Sequence, residues 1–284
     1  MTLSDCNSHG PLVFVCDASP PRGAGLDAID SLSEVRADYF AVAYNPGFAV
    51  RANSIIFASL VKKHIGREVI AIISPRDMNK LALQSLLLGS SMLGVHNLLV
   101  VQGDLPQDKS RSWYSNVWDY SASELIKSIS EMNKGVDFRN LPLSSPTRFC
   151  IGSAIDIGKD FTKQCELMKE KFDAGAKFFI TQPFFDLSIP NSITTYWNSL
   201  FENTIQPSIY YGIYILEKNS LTFGSVPLRI KRELEMGTPG FKLAIDQISK
   251  LQEQGIRRFY LIPPILKGGV KDYKSISLVI NAYR

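Results

Sequence analysis

Acidic, amide and guanidinium side chains stand directly after a series of short apolar runs. Asp17 follows LVFVC (12–16), Tyr44 and Asn45 follow YFAVA (39–43), Ser74 closes and Arg76 follows EVIAIIS (68–74), and Gly103-Asp104 follow NLLVV (97–101). Asp156 follows RFCIGSAI (148–155), Gln182 ends FFITQ (178–182), and Tyr214 stands near the end of SIYYGIYI (208–215) with Glu217 just beyond it. Pro263-Pro264 and then Lys267-Gly268-Gly269 follow RRFYLI (257–262). If the runs are parallel strands closed into a barrel, these residues share the rim at the strands' carboxyl ends, where barrel enzymes do their chemistry. Carboxylates, an amide and an arginine without metal ligands suit acid/base or redox work on a bound organic cofactor. The four cysteines show no C-x-x-C spacing and the three histidines no H-x-x-x-H. A metal site built by the protein is therefore not expected, and the cysteines read as buried thiols of a reducing compartment.

The elements that must hold these residues can be counted. Several of the eight runs are apolar at consecutive positions, as strands buried on both faces require. Helix signals lie between them. Asp77 is the expected N-cap of a helix carrying leucines 81, 88 and 93, and Asp160 opens FTKQCELMKEKFDAGA, which stops at Gly175. Thr238-Pro239 opens GFKLAIDQISKLQEQ, with proline expected at the first helical position and Gly255 beyond the far end. Strand–helix alternation eight times over residues 1–284 predicts a single (β/α)8 TIM barrel, a domain of the α/β class. A doubly wound open sheet is the alternative, since periodicity cannot show closure, but no G-x-G-x-x-G follows any strand. Segments 105–120 and 134–146 read as enlarged loops.

Composition narrows the partners. Hydrophobic residues make up 45% and charged residues 20%, enough apolar material for a core and too much for a disordered chain. Lys and Arg total 31 against 27 Asp and Glu, a balance of +4 that is scattered along the chain, so no nucleic-acid footprint is expected. The start MTLSDCNSHG lacks a basic, then apolar, leader, and no apolar run is long enough to span a membrane. The expected location is cytoplasmic.

Longer motifs then carry a family resemblance. They are D-A-S-P-P-R-G (17–23), A-Y-N-P-G (43–47), R-D-x-N-x-L-A-L-Q-S-x-L-L-G (76–89) and G-V-x-N-L-L-V-V-Q-G-D-L-P (94–106). P-T-R-F-x-I-G (146–152), K-x-D-A-G-A-x-x-x-I-T-Q-P-x-F-D (171–186) and V-P (226–227) complete the set, in order and over nearly the whole chain. In these blocks the sequence resembles the flavin-dependent methylenetetrahydrofolate reductases. The resemblance implies FAD at the carboxyl face of the barrel, NAD(P)H or another electron carrier as donor, and a tetrahydrofolate derivative as substrate. It implies hydride passing through flavin N5 between 5,10-methylene- and 5-methyltetrahydrofolate, with N10 protonated so that the ring opens to a 5-iminium cation. That step needs an acid.

Residue by residue, the acid's position falls on Asp17, where the family ordinarily has the longer Glu. Asp104 matches the aspartate beside flavin and folate, and Gln182 the glutamine that binds the pterin. Gln102, Gly103, Trp118, Asp119 and Lys171 match the flavin side. Three departures stand out: Ala43 where many members have Thr, Ile72 where they have His, and LIPPILKGG where one branch ends in a folate-contacting Arg. The first two remove hydrogen bonds that would hold and tune a flavin ring. The resemblance therefore also admits a folate-binding barrel with weak or no flavin, partnering a methyltransferase; a homo-oligomer is likewise admitted. A sugar-phosphate barrel using Lys267-Gly268-Gly269 as a phosphate cradle is the remaining reading.

Overall fold

The apolar runs become neighbours in chain order. The computed structural model describes residues 3, 10–104, 115–201, 206–222 and 224–284. Its strands are β1 (Val13–Ala18), β2 (Tyr39–Val42), β3 (Glu68–Ile73), β4 (Asn97–Val100), β5 (Cys150–Ile155), β6 (Phe178–Pro183), β7 (Ser208–Tyr214) and β8 (Arg258–Ile262). All pair in parallel, and β1 meets β8 with Val13 beside Arg258 and Cys16 beside Leu261. That last pairing makes the sheet a closed barrel and removes the open-sheet alternative. The helices are α1 (Asp27–Ser33), α2 (Ser54–Ile65), α3 (Lys80–Met92), α4 (Ala122–Asn133), α5 (Phe161–Asp173), α6 (Ile189–Leu200), α7 (Leu228–Glu235), α8 (Gly240–Glu253) and α9 (Tyr273–Asn281). Among the described residues no helix is long and apolar enough to cross a membrane.

Local chemistry sets the helix starts. Asp160 caps α5 by accepting from the Lys163 amide, as its sequence context predicts. Helix α4 opens on a reciprocal capping box between Ser121 and Glu124. Two starts differ from expectation. Asn79, not Asp77, caps α3, because the Arg76 guanidinium holds both Asp77 oxygens at 2.6 and 2.8 Å. Helix α8 begins at Gly240 with Pro239 as the cap residue, one position later than predicted.

Side chains alternate across each strand. Phe14, Phe40, Leu98 and Phe179 point outward and pack under the helices. Val15, Ile70, Leu99, Phe178, Ile180 and Tyr210 point inward and fill the barrel. Gly152 makes room for one of them, since a Cβ there would lie 2.3 Å from Phe178 Cζ. Between β6 and β7 the register shifts between Ile180 and Pro183, which leaves Gln182 in an irregular stretch at the carboxyl end. Such irregularities re-aim a side chain at a rim. The loop of 134–146 is pinned by a bridge between Val136 and Pro142 and by Gln84 Oε1 accepting from the Phe138 amide at 3.0 Å. Of the other predicted loop, 105–114 lies outside the described residues.

Candidate active site

Strand alternation determines what faces the barrel mouth. One step above the inner layer, Asp17 stands on β1, Ile72 on β3, Ala154 on β5, Gln182 on β6 and Tyr260 on β8, with Ala43 and Val101 just beyond β2 and β4. The lower layer is closed: Val15, Ile70, Phe178 and Tyr210 are 0% exposed. The upper one is not. Ala43, Ile72, Val101 and Ala154 are all half-buried, so apolar side chains form the floor of the mouth and stay partly accessible.

Asp17 is the most enclosed acid of this rim, only 8% exposed. Its Oδ2 accepts from Lys271 Nζ at 2.5 Å, across 254 residues of sequence. Tyr260 lies beside the same carboxylate; burial, and then the Asp17 charge, push that phenol well above its usual 10.0. Tyr273 is raised by burial and by the charges of Cys16 and Asp17, and its oxygen accepts from the Ser19 amide at 3.3 Å. Burial and the Asp17 charge also raise the Cys16 thiol, so it is inert. Lys271 reaches the site because the chain after β8 folds back on itself. Ile265 bridges Lys271, and Gly268 and Gly269, at φ of 82° and 80°, make the tip between them. This lysine and Tyr260 were not among the residues expected from sequence. Lys267-Gly268-Gly269, the cradle of the alternative sugar-phosphate reading, form the exposed tip of that hairpin.

The second acid sits on a turn held from below. Arg76, 5% exposed, is clamped by Asp77, lies 4.3 Å from the centre of the Phe48 ring and donates to the Asp104 carbonyl at 3.2 Å. Ser74 Oγ donates to the Gln102 carbonyl at 3.0 Å and accepts from the Arg76 amide at 3.2 Å. Between these contacts Gly103 adopts φ of 87°, and a Cβ there would meet Ser74 Oγ at 2.5 Å. Only glycine suits that turn, and it presents the exposed Asp104 at the rim. Asp104 faces the ion pair of Lys159 and Asp156 (2.9 Å); Asp156 chiefly, and Asp104 in addition, raise the Lys159 ammonium.

The remaining expected residues divide. Gln182 is exposed at the rim. Lys171 runs from α5 to donate to the Ala154 carbonyl at 2.9 Å, and burial lowers its pKa. Gln102 turns outward, its Oε1 accepting from the Ala122 amide at 2.7 Å at the start of α4. Asp119 accepts from the Lys80 amide at 3.1 Å and so caps α3. Trp118 is half-buried, with a positive φ of 53°.

A flat conjugated ring fits this mouth. The half-buried aliphatic floor offers one face for it, while Gly103, Asp104, Gln182 and Asp17 supply polar groups at its edges. Among the described residues the floor holds no free side-chain donor, since Ala43 and Ile72 are apolar, and Ser74, Arg76 and Gln102 already have protein partners. Among the described residues no group of histidine, cysteine and acidic side chains could hold a metal ion.

The family model described as methylenetetrahydrofolate reductase matches residues 13–263, from the first strand through the last. The chain belongs to the methylenetetrahydrofolate reductase family. It is 26% identical over 175 residues to the 5,10-methylenetetrahydrofolate reductase of Pectobacterium carotovorum subsp. carotovorum, covering 59% of this chain and 53% of that one. It is 24% identical over 229 residues to methylenetetrahydrofolate reductase 2 of Schizosaccharomyces pombe, covering 70% of this chain and 34% of that protein. The chain thus spans about half or less of the length of these methylenetetrahydrofolate reductases. Among solved structures it superposes, with a TM-score of 0.67 over 96% of both chains and 14% identity, on a protein from Clostridium thermocellum described as binding two copies of 5-methyl-5,6,7,8-tetrahydrofolic acid. That likeness shows the shared barrel fold.

Proposed function

We propose that this methylenetetrahydrofolate reductase family member interconverts 5,10-methylene- and 5-methyltetrahydrofolate, with FAD on the apolar floor of the mouth and Asp17 as the acid. The observation that carries the reading is that Asp17, Asp104 and Gln182, far apart in sequence, stand at the carboxyl rim of one barrel whose chain matches the family from 13 to 263. When bound, the flavin supplies a two-electron centre that accepts and returns hydride. Ala43, Ile72, Val101 and Ala154 would hold the flavin ring and exclude water, and Gly103, Asp104 and Lys171 would serve it with polar groups. Asp17 delivers a proton to N10 of the methylene-folate, opening the five-membered ring. The Asp104 carboxylate stabilises the 5-iminium cation that results. The Gln182 amide, donor and acceptor at once, pairs with the pterin edge. NAD(P)H or another carrier is the electron source, and the setting is cytoplasmic one-carbon metabolism leading to methionine, in a single catalytic domain.

A second reading has its own support: a folate-binding barrel without flavin, acting beside a methyltransferase. The donor-free floor at Ala43 and Ile72 favours it, and the Clostridium thermocellum neighbour is described as holding two folates. One experiment separates the two. Purified protein is incubated with FAD, desalted, reduced anaerobically with NADH or NADPH, and reoxidised with methylenetetrahydrofolate while flavin absorbance is followed. Retained flavin that the folate reoxidises is the expected result. A colourless protein that still binds folate by calorimetry would overturn the flavoenzyme reading in favour of the second.

A further inference from the structure

Lys271 stands where the proposed acid should meet its substrate. The ion pair is nearly dry: the Lys271 and Asp17 side chains are 9% and 11% exposed. One carboxylate oxygen is taken by the ammonium, and Tyr260 lies beside the same group. A carboxylate paired with an ammonium has no proton to give, so the acid role requires that the pair part when the folate enters. Tyr260 is fixed in β8, within the barrel wall. Lys271 is held to Asp17 by the end of a four-carbon stem and can swing away while its backbone keeps the bridge to Ile265. The other titratable and charged groups around Asp17 are Cys16 on its own strand, Tyr273 on α9, and Arg51, which donates to the Pro20 carbonyl at 2.8 Å. The two raised groups, Cys16 and Tyr273, stay neutral near pH 7, and Arg51 is engaged elsewhere, so Lys271 is the counter-charge in contact with the carboxyl.

We infer that Lys271 is a positioning residue: it holds Asp17 as its ion-pair partner until a pterin enters, and pterin entry displaces the ammonium and brings a proton onto Asp17. The proton comes from solvent, Lys271 keeps its own, and the O–H bond on Asp17 is the one covalent bond that forms. This rests on the reading of Asp17 as the acid toward a bound folate.

Proton uptake measures it without turnover. Binding of 5-methyltetrahydrofolate is followed by calorimetry at pH 7 in phosphate and in Tris, and the buffer dependence of the heat counts the protons exchanged. The wild type is expected to take up about one proton per ligand. Lys271→Arg, which keeps the counter-charge, matches it, and Asp17→Asn takes up close to none. Lys271→Met takes up less than the wild type, because no ion pair has to part when the ligand arrives. Wild-type binding with no uptake, or equal uptake by Lys271→Met, overturns the inference while leaving the folate reading intact. If the wild type binds no folate, both fall together. Should Lys271→Met not fold, the contrast between Lys271→Arg and Asp17→Asn decides: equal uptake by these two overturns the inference.

Discussion

Replacing Asp17 by Asn keeps the side chain's volume and removes the charge. Lys271, 9% exposed and 2.5 Å away, is then a buried ammonium without a counter-ion. Breaking such a pair from one side costs about 3–5 kcal/mol in fully buried cases, and the residual exposure here points to the lower end, about 3 kcal/mol. For a chain of this size that is a fall in Tm of about 6 °C. Lys271→Met leaves the carboxylate in the same position and should cost a similar amount. The double variant has no charge to strand, so its loss should fall short of the sum of the singles by about 1–3 kcal/mol. Urea unfolding of the four proteins at pH 7, followed by circular dichroism, gives the coupling directly. If the single losses simply add, or each stays within about 0.5 kcal/mol of wild type, the pair contributes nothing beyond an exposed contact, and the account of the mouth given above is wrong.

Two further outcomes follow from the packing and the caps. Gly240→Ala would place a Cβ 1.5 Å from the Leu216 carbonyl oxygen, a backbone atom that cannot step aside, so α8 must shift away from the segment that follows β7. A loss of about 3 kcal/mol or more is expected in urea unfolding, and an unchanged midpoint would mean that the close approach of helix and strand is misplaced. Ser121→Ala removes the α4 capping box and should cost about 1 kcal/mol at pH 7. The Glu124 carboxyl is held below its ordinary 4.5 chiefly by the Ser121 amide. Because its folded pKa is the lower one, its contribution is complete above 4.5 and is lost as pH falls through the folded value. The difference between wild type and Glu124→Gln should therefore shrink on going from pH 7 to pH 3; a constant difference would refute the role of the charge.

Much of the site was legible because its residues lie inside local blocks. Asp17 before P-P-R, Asp104 in G-D-L-P and Gln182 in I-T-Q-P are each positioned by a strand end, and strand ends follow from runs of apolar residues a few positions long. Gln102 and Asp119 show the limit of that logic. Both sit in matching or adjacent segments, yet their side chains turn to amides at the starts of α4 and α3, because an unpaired helix N-terminus competes for any nearby oxygen. Asp77 was lost to its immediate neighbour: the Arg76 guanidinium, buried under Phe48, needed a carboxylate more than the helix needed that particular cap.

Read alone, the amino-acid order determined eight strands, the helices between them and the family to which they belong, since hydrophobic period and motif spacing are properties of short stretches of chain. It left open whether the sheet closed, and that single event decided the chemistry of the mouth. Closure brings β8 against β1, so that a lysine 254 residues away becomes the partner of the proposed acid and a tyrosine from the last strand joins it. No periodicity encodes such a pair, because an ion pair depends on where two distant backbones meet and on how little water is left between them.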